Sequence, residues 1–395
     1  MGIDEIIVLF TGSPNQSLSL AVLVLALVLL FLTLLSTSGY FPILLSITSY
    51  ISIVARLKAK GVPFIEPERV QELMQTGSVQ DCMSRLKGLG YLTTLPLECT
   101  ADQVEEELLI AWFEEVSSLR SQAPRDAWLF FDAFFLFQEI TKVKRILRLV
   151  HIDHAAIISK QPKLWPLELN GDLAAKLGNV HTMSEGIRLL HETKFGKPLL
   201  LGITQYEKEK NLFFLEHALD CMGFSELKSQ MSMVQTTLAS PYRDFLAHLI
   251  DIHNLRVLIR AKHSGWIPEK VSLCLVEGGM ELPLWRLIQM NEMMSVPDVV
   301  RQLTATPYDQ ILTPLLRSYP SPDVMLRIDL ALDQYLLQVV SRLGLAYYHT
   351  GGPLLWYLIA KEFELRNIRI ILSGLIEGLS PEQISWLVIT QREET

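Results

Sequence analysis

Cysteine is scarce in this chain of 395 residues: Cys82, Cys99, Cys221 and Cys274 lie scattered, with no C-x-x-C and no paired spacing. That pattern argues against a disulfide framework or a zinc site and fits buried free thiols in a reducing compartment. A basic surplus is also missing. Net charge is −8 and the pI is near 5.7, so nothing resembles a nucleic-acid footprint. Alternating apolar runs bounded by hairpin turns are few, which points away from sheet. No G-x-x-x-x-G-K-[ST] occurs; Phe195-Gly-Lys-Pro lacks the glycine-rich turn and the hydroxyl after Lys, so no nucleotide is expected. Neither H-E-x-x-H nor G-x-S-x-G appears, and His151 and His154, three apart, have no further ligands in sequence and read as ordinary polar positions. No cofactor, metal or catalytic residue is expected.

The amino terminus lacks charge altogether. From Ile6 to Ala55 there is no Asp, Glu, Lys, Arg or His. Within it, Leu18–Leu35 is apolar except for Ser19 and Thr33, and with Ser17 and Ser36 it makes 20 residues. A helix of that length can cross a bilayer core of about 30 Å. Asp4 and Glu5 precede it without a base, unlike a secretory signal, and Arg56, Lys58 and Lys60 follow it. The expectation is a single-pass anchor in the cell membrane touching lipid through Leu18–Leu35, with its amino terminus outside and the remaining chain on the cytoplasmic side. Phe41–Ala55 continues uncharged, and Pro42 is expected to break any helix early.

A motif pair is written three times. The first half reads Ser78-Asp81-Leu86-Tyr91, Thr182-Glu185-Leu190-Phe195 and Ser295-Asp298-Leu303-Tyr308. Each begins as a Ser/Thr-x-x-Asp/Glu capping box, which starts a helix and needs no ligand. The second half places Glu139, Lys142 and Lys144, then Asp251, Asn254 and Arg256, then Glu364, Asn367 and Arg369, so its central position moves from 142 to 254 to 367 in steps of 112 and 113 residues. Between the halves lie amphipathic stretches predicted as helices over Ala101–Leu119, Glu207–Met222 and Arg327–Leu343. The second half itself sits on long helices predicted over roughly Trp128–Val150, Tyr242–His263 and Pro353–Gly374. Gly265 with Pro268, and Gly378 with Pro381, end one helix and open the next. The fold class is all-α, with three helical repeats of pseudo-threefold symmetry.

On the long helix Ile252, Leu255 and Ile259 form one stripe, with Asp251 and Asn254 on one flank and Arg256 and Arg260 on the other. Five residues turn a helix by about 140°, so Asp251 and Arg256 do not pair with each other, and neither do Glu139 and Lys144 or Glu364 and Arg369. Each needs a partner on another helix, another domain or another protein. Glu139, Lys142, Lys144, Asp251, Asn254, Arg256, Arg260, Glu364, Asn367 and Arg369 are therefore candidates either for holding domains together or for facing a shared axial partner.

The run Glu362-Phe-Glu-Leu-Arg-Asn-Ile-Arg-Ile-Ile-Leu-Ser-Gly-Leu-Ile-Glu-Gly-Leu-Ser-Pro-Glu-Gln-Ile384 resembles the carboxyl end of the C subunit of archaeal A-type and bacterial V/A-type ATP synthases, which is related to the d subunit of eukaryotic V-ATPases. Asp251-Ile-His-Asn-Leu-Arg-Val-Leu-Ile-Arg260 resembles that family's second copy, and Tyr50-Ile-Ser-Ile-Val-Ala-Arg56-Leu-Lys58-Ala-Lys60 its start. The resemblance covers about residues 48–390 and implies a funnel of three helical domains. It implies a non-catalytic rotor piece that caps the proteolipid ring, seats the foot of the central shaft and transmits torque, linking ATP synthesis or hydrolysis to proton or sodium transport. The expected divisions are 1–47 as anchor and lead-in, then repeats over 48–160, 161–270 and 271–395. Lys142 departs from the Asn of the other copies, and the membrane segment is an addition, expected to anchor the funnel at the ring, with its place inside or outside the lumen left open. The alternatives are a membrane-anchored helical scaffold diverged from that family and, without a motif to support it, a membrane-bound enzyme.

Overall fold

The computed structural model describes residues 14–37, 40–61, 66–97, 100–155, 158, 171–233 and 240–390. Their regular structure is all helical, and no strand occurs among them. In chain order the helices are α1 (Pro14–Thr37), α2 (Tyr40–Lys60), α3 (Pro67–Met74), α4 (Val79–Gly88), α5 (Ala101–Gln122) and α6 (Arg125–His151). Next come α7 (Gly171–Leu177), α8 (Met183–Leu189), α9 (Gly196–Glu209), α10 (Phe213–Met233), α11 (Ser240–His263) and α12 (Pro268–Ser272). The last are α13 (Leu284–Asn291), α14 (Val296–Arg301), α15 (Pro307–Leu312), a 3-10 turn over Thr313–Ser318, α16 (Val324–Ala346), α17 (Gly352–Ile376) and α18 (Pro381–Leu387).

Local chemistry fixes most of these boundaries. Ser78, Thr182 and Ser295 each accept the amide hydrogen bond of the acid three residues on, at 3.1, 3.3 and 3.4 Å. None of the three acids accepts from the backbone amide of its cap, although Asp298 accepts from the Ser295 hydroxyl at 2.5 Å; complete capping boxes stand at Thr100 with Gln103 and at Ser380 with Gln383. Gly265 and Gly378 take φ of +69° and +70°, the left-handed turn that closes α11 and α17. Two expectations need correcting. The amphipathic stretch 207–222 is not one helix: Lys210 turns left-handed at φ +53°, α9 ends, and α10 starts at Phe213. Pro42 does not interrupt α2, because it is the third residue of the helix, where no intrahelical N–H bond is yet owed.

The membrane expectation is also corrected. The apolar segment does form α1, of 24 residues. Its described side chains run from Val22 to Leu34 and are exposed. Among the described residues no helix is long and apolar enough to cross a membrane. The single-pass cell-membrane placement, with the amino terminus outside and lipid against Leu18–Leu35, therefore fails.

The six helices of the motif pair pack in a cycle. Long helix α6 lies on middle helix α10, long helix α11 on middle helix α16, and long helix α17 on middle helix α5. Each long helix thus rests on a middle helix, and the last of them, α17, returns to the first middle helix, α5. Apolar burial follows the same scheme. One large core joins α2–α6 to α10–α18, and a second core holds the far end of α6 against α8, α9 and α10 through Ile140, Val143, Leu147, Leu190, Phe195, Leu199 and Leu219.

Candidate functional site

The three long helices bring the second-half motif into three kinds of contact. Asparagine makes the first. Asn254 is fully buried; its Nδ2 donates to the Val276 carbonyl at 2.7 Å, and its Oδ1 accepts from the Val276 amide at 2.8 Å. Asn367 does the same to Ile389, donating at 2.5 Å and accepting at 3.0 Å. In both cases the clamped residue is 22 positions downstream. A side-chain amide carries a donor and an acceptor side by side, which matches the backbone N–H and C=O of one extended residue. Lys142 cannot do this. It lies over the Phe113 ring at 4.5 Å, and burial lowers its pKa while Glu139 opposes that shift. The residue 22 after Lys142 lies outside the described residues.

Acids make the second contact, each with the end of the following first-half motif. Asp251 is fully buried and accepts from the Glu281 amide at 2.8 Å, the Leu282 amide at 3.2 Å and the Tyr308 hydroxyl at 3.3 Å. Burial outweighs these bonds and raises its pKa to about 6. Glu139 pairs with Lys194, next to Phe195, the one closing aromatic without a hydroxyl. Glu364 pairs with Lys361 of its own helix, and Lys361 donates to the Tyr91 hydroxyl at 2.6 Å. Burial raises the Glu364 pKa, and Lys361 opposes it.

Bases make the third contact, each across to the neighbouring middle helix. Lys144 reaches Asp220 at 2.5 Å, and Arg148 reaches Glu216 at 2.6 Å. Arg256 reaches Asp333 at 2.5 Å and Asp329 at 3.2 Å, and Arg260 reaches Asp329 at 2.6 Å. Arg369 reaches Glu105 at only 3.9 Å, a site that Arg145 also approaches at 3.0 Å.

A cavity of about 360 Å³ lies between α6, α10, α11, α16 and α17. Phe130, Phe134, Phe137, Phe245 and Phe363 supply its apolar wall. Asp220, Arg256, Asp333, Glu362, Arg366 and Gln138 supply its polar wall. Of the ten residues singled out from sequence, only Arg256 lines it; eight others hold helices and backbone, and Lys142 rests on the Phe113 ring. The polar residues that sequence reasoning missed carried a usable signal in two cases. Asp220 and Asp333 are 113 residues apart, as are Glu216 and Asp329, the same step as the motif itself. Glu362, Arg366 and Gln138 have no such echo.

Among the described residues, no three His, Cys, Asp or Glu are placed to hold a metal ion. The thiols of Cys82, Cys221 and Cys274 are free, and burial pushes them up to about 11, 11 and 12, away from the reactive thiolate. Cys99 lies outside the described residues.

Comparison with known proteins agrees with the resemblance drawn from the motifs. The A-type ATP synthase C subunit of Methanocaldococcus jannaschii is 24% identical over 351 residues, covering 88% of each chain. That of Methanothermobacter thermautotrophicus is 24% identical over 335 residues, covering 83% of this chain and 84% of its own. That of Haloferax volcanii is 29% identical over 218 residues, covering 55% of this chain and 61% of its own. A model of the ATP synthase (C/AC39) subunit matches residues 53–387. The chain therefore belongs to the ATP synthase C/AC39 subunit family, a non-catalytic subunit of the rotary ATP synthase.

Proposed function

We propose that this chain is the central-rotor piece joining the shaft of its ATP synthase to the membrane proteolipid ring, so that torque couples ATP turnover to proton or sodium transport. In this reading three helical repeats, divided near 48–160, 161–270 and 271–395, surround one axis as a funnel. The observation that carries it is the closed cycle of contacts from α6 to α10, α11 to α16 and α17 to α5, with a cavity between α6, α10, α11, α16 and α17. A body clasped in this way resists twisting at every seam, which a torque coupler needs and a simple tether does not. Lys144, Arg256, Arg260 and Arg369 fasten neighbouring repeats, Glu139, Asp251 and Glu364 lock each repeat to the start of the next, and Asn254 and Asn367 fix the loops that cover the long helices. Lys142 marks the one repeat built differently.

The test is purification of the assembled synthase through a tag on this chain. The reading requires one copy per complex, together with the proteolipid ring and the shaft subunits. A homo-oligomer lacking both would overturn it.

A further inference from the structure

The cavity among the long helices contains three carboxylates, and two are matched. Asp333 receives Arg256 and Arg366, each at 2.5 Å, and Asp220 receives Lys144 at 2.5 Å. Glu362 receives only a neutral amide, Gln138 Nε2 at 2.8 Å, and among the described residues no salt bridge reaches it. Arg366 and Arg369 act on it through space alone, and burial raises its pKa against them. An acid without a counter-charge in such a place is costly to ionise unless a cation arrives. The surrounding wall suits one. Phe134, Phe137, Phe245 and Phe363 present ring faces and edges, and a basic side chain can lay its methylene stem along such rings while its charge meets a carboxylate. The volume, about 360 Å³, exceeds one side chain and admits part of the turn that carries it.

We propose that the axial partner inserts a basic side chain, Lys or Arg, into this cavity, with its stem against the phenylalanines and its charge on Glu362. This rests on the reading that the cavity seats the foot of the shaft. It deepens that reading by naming the chemistry of the contact: a cationic knob in an aromatic cup.

Two variants of the full chain separate the two ideas, with the purified shaft subunits of the same complex as the probe. Glu362→Gln keeps the shape of the side chain and removes its charge. Thr141→Trp fills the rim of the cavity from an exposed position, where the fold tolerates it. The expected result is shaft affinity about tenfold weaker for Glu362→Gln, with a flatter salt dependence, since a charge-assisted contact is lost, and binding blocked by Thr141→Trp. If Thr141→Trp blocks binding while Glu362→Gln binds as before, the cationic contact is overturned and the seat stands. If neither variant changes binding, the seat itself is overturned. If only Glu362→Gln weakens binding, Glu362 acts outside the cavity, and the proposed contact is likewise overturned. Helical content and thermal midpoint matching those of the unaltered chain establish that each variant is folded.

Discussion

At the residue scale, the asparagine clamps give the sharpest stability prediction. Asn254→Ala strips a buried backbone N–H and C=O of their partners at once, and leaving such groups unsatisfied costs about 1–3 kcal/mol each. Chemical denaturation should show a loss of about 2–4 kcal/mol for Asn254→Ala and for Asn367→Ala, whereas Lys142→Ala should cost less, because Lys142 lies on a ring and clamps nothing. Asp251 adds a pH dependence. Its carboxyl is raised from 3.8 to about 6 in the folded chain. Between those two values the folded state holds a proton that the unfolded state has released, so stability falls as pH rises across that window and is level above it. The size is on the order of 2–3 kcal/mol. Burial also raises Glu362 and Glu364, and these shifts slope the same way. The measurement is therefore the difference between the unaltered chain and Asp251→Asn from pH 4 to pH 7. The variant should lose part of the slope; parallel curves would show that Asp251 stays ionised throughout.

At the scale of elements, the loop 276–282 is shaped by a close backbone approach to α11. Asp251 accepts two of its amides, and a Cβ on Gly279 would fall inside the Asp251 carboxylate. Gly279→Ala should therefore push the loop off the helix and cost about 1–3 kcal/mol, as overpacking does in tight sites. A thermal midpoint equal to that of the unaltered chain would contradict the geometry. The same scale shows what sequence made legible. Helix type and order came from periodicity, and the long helices followed from the acid-polar-base motif. The break at Lys210 did not, because apolar residues continue at helical spacing on both sides of it while the left-handed turn depends on how α9 packs on α10. The capping hydroxyls were legible, but the missing bonds from acid to cap amide were not, since an acid can satisfy the pattern without accepting from that amide. The motif also drew attention to the charges that hold the helices, while the cavity lies on a face whose key residues, Glu362 and Gln138, repeat nowhere else in the chain. The charge-free amino terminus misled most. Hydropathy reports a length of apolar sequence, whereas among the described residues no helix is long and apolar enough to cross a membrane.

At the scale of the whole molecule, the three seams are unequal in charge. Lys144 with Asp220 and Arg148 with Glu216 form two layers at the first seam. Arg256 and Arg260 with Asp333 and Asp329 form two layers at the second. At the third, Leu109 stands four residues after Glu105, where Asp220 follows Glu216 and Asp333 follows Asp329; the position matching Arg148 and Arg260 by the repeat step is Ser373, and Arg369 reaches Glu105 at only 3.9 Å. An exposed, loosely set ion pair is worth about 0–1 kcal/mol, while a base shared between two half-buried acids loses more when it is removed. Arg369→Met should thus be close to neutral in denaturation, and Arg256→Met should cost about 1–3 kcal/mol. A seam opens most readily where its charged clasps are fewest, so hydrogen exchange in the assembled synthase should be faster along the α5–α17 seam than along α6–α10 and α11–α16. Supplying the missing layer through Leu109→Asp gives Arg369 the acid that Arg256 already has, and it should slow exchange along α5–α17 alone. Equal protection at all three seams in the unaltered chain would mean that the apolar core, rather than the charged clasps, sets their strength.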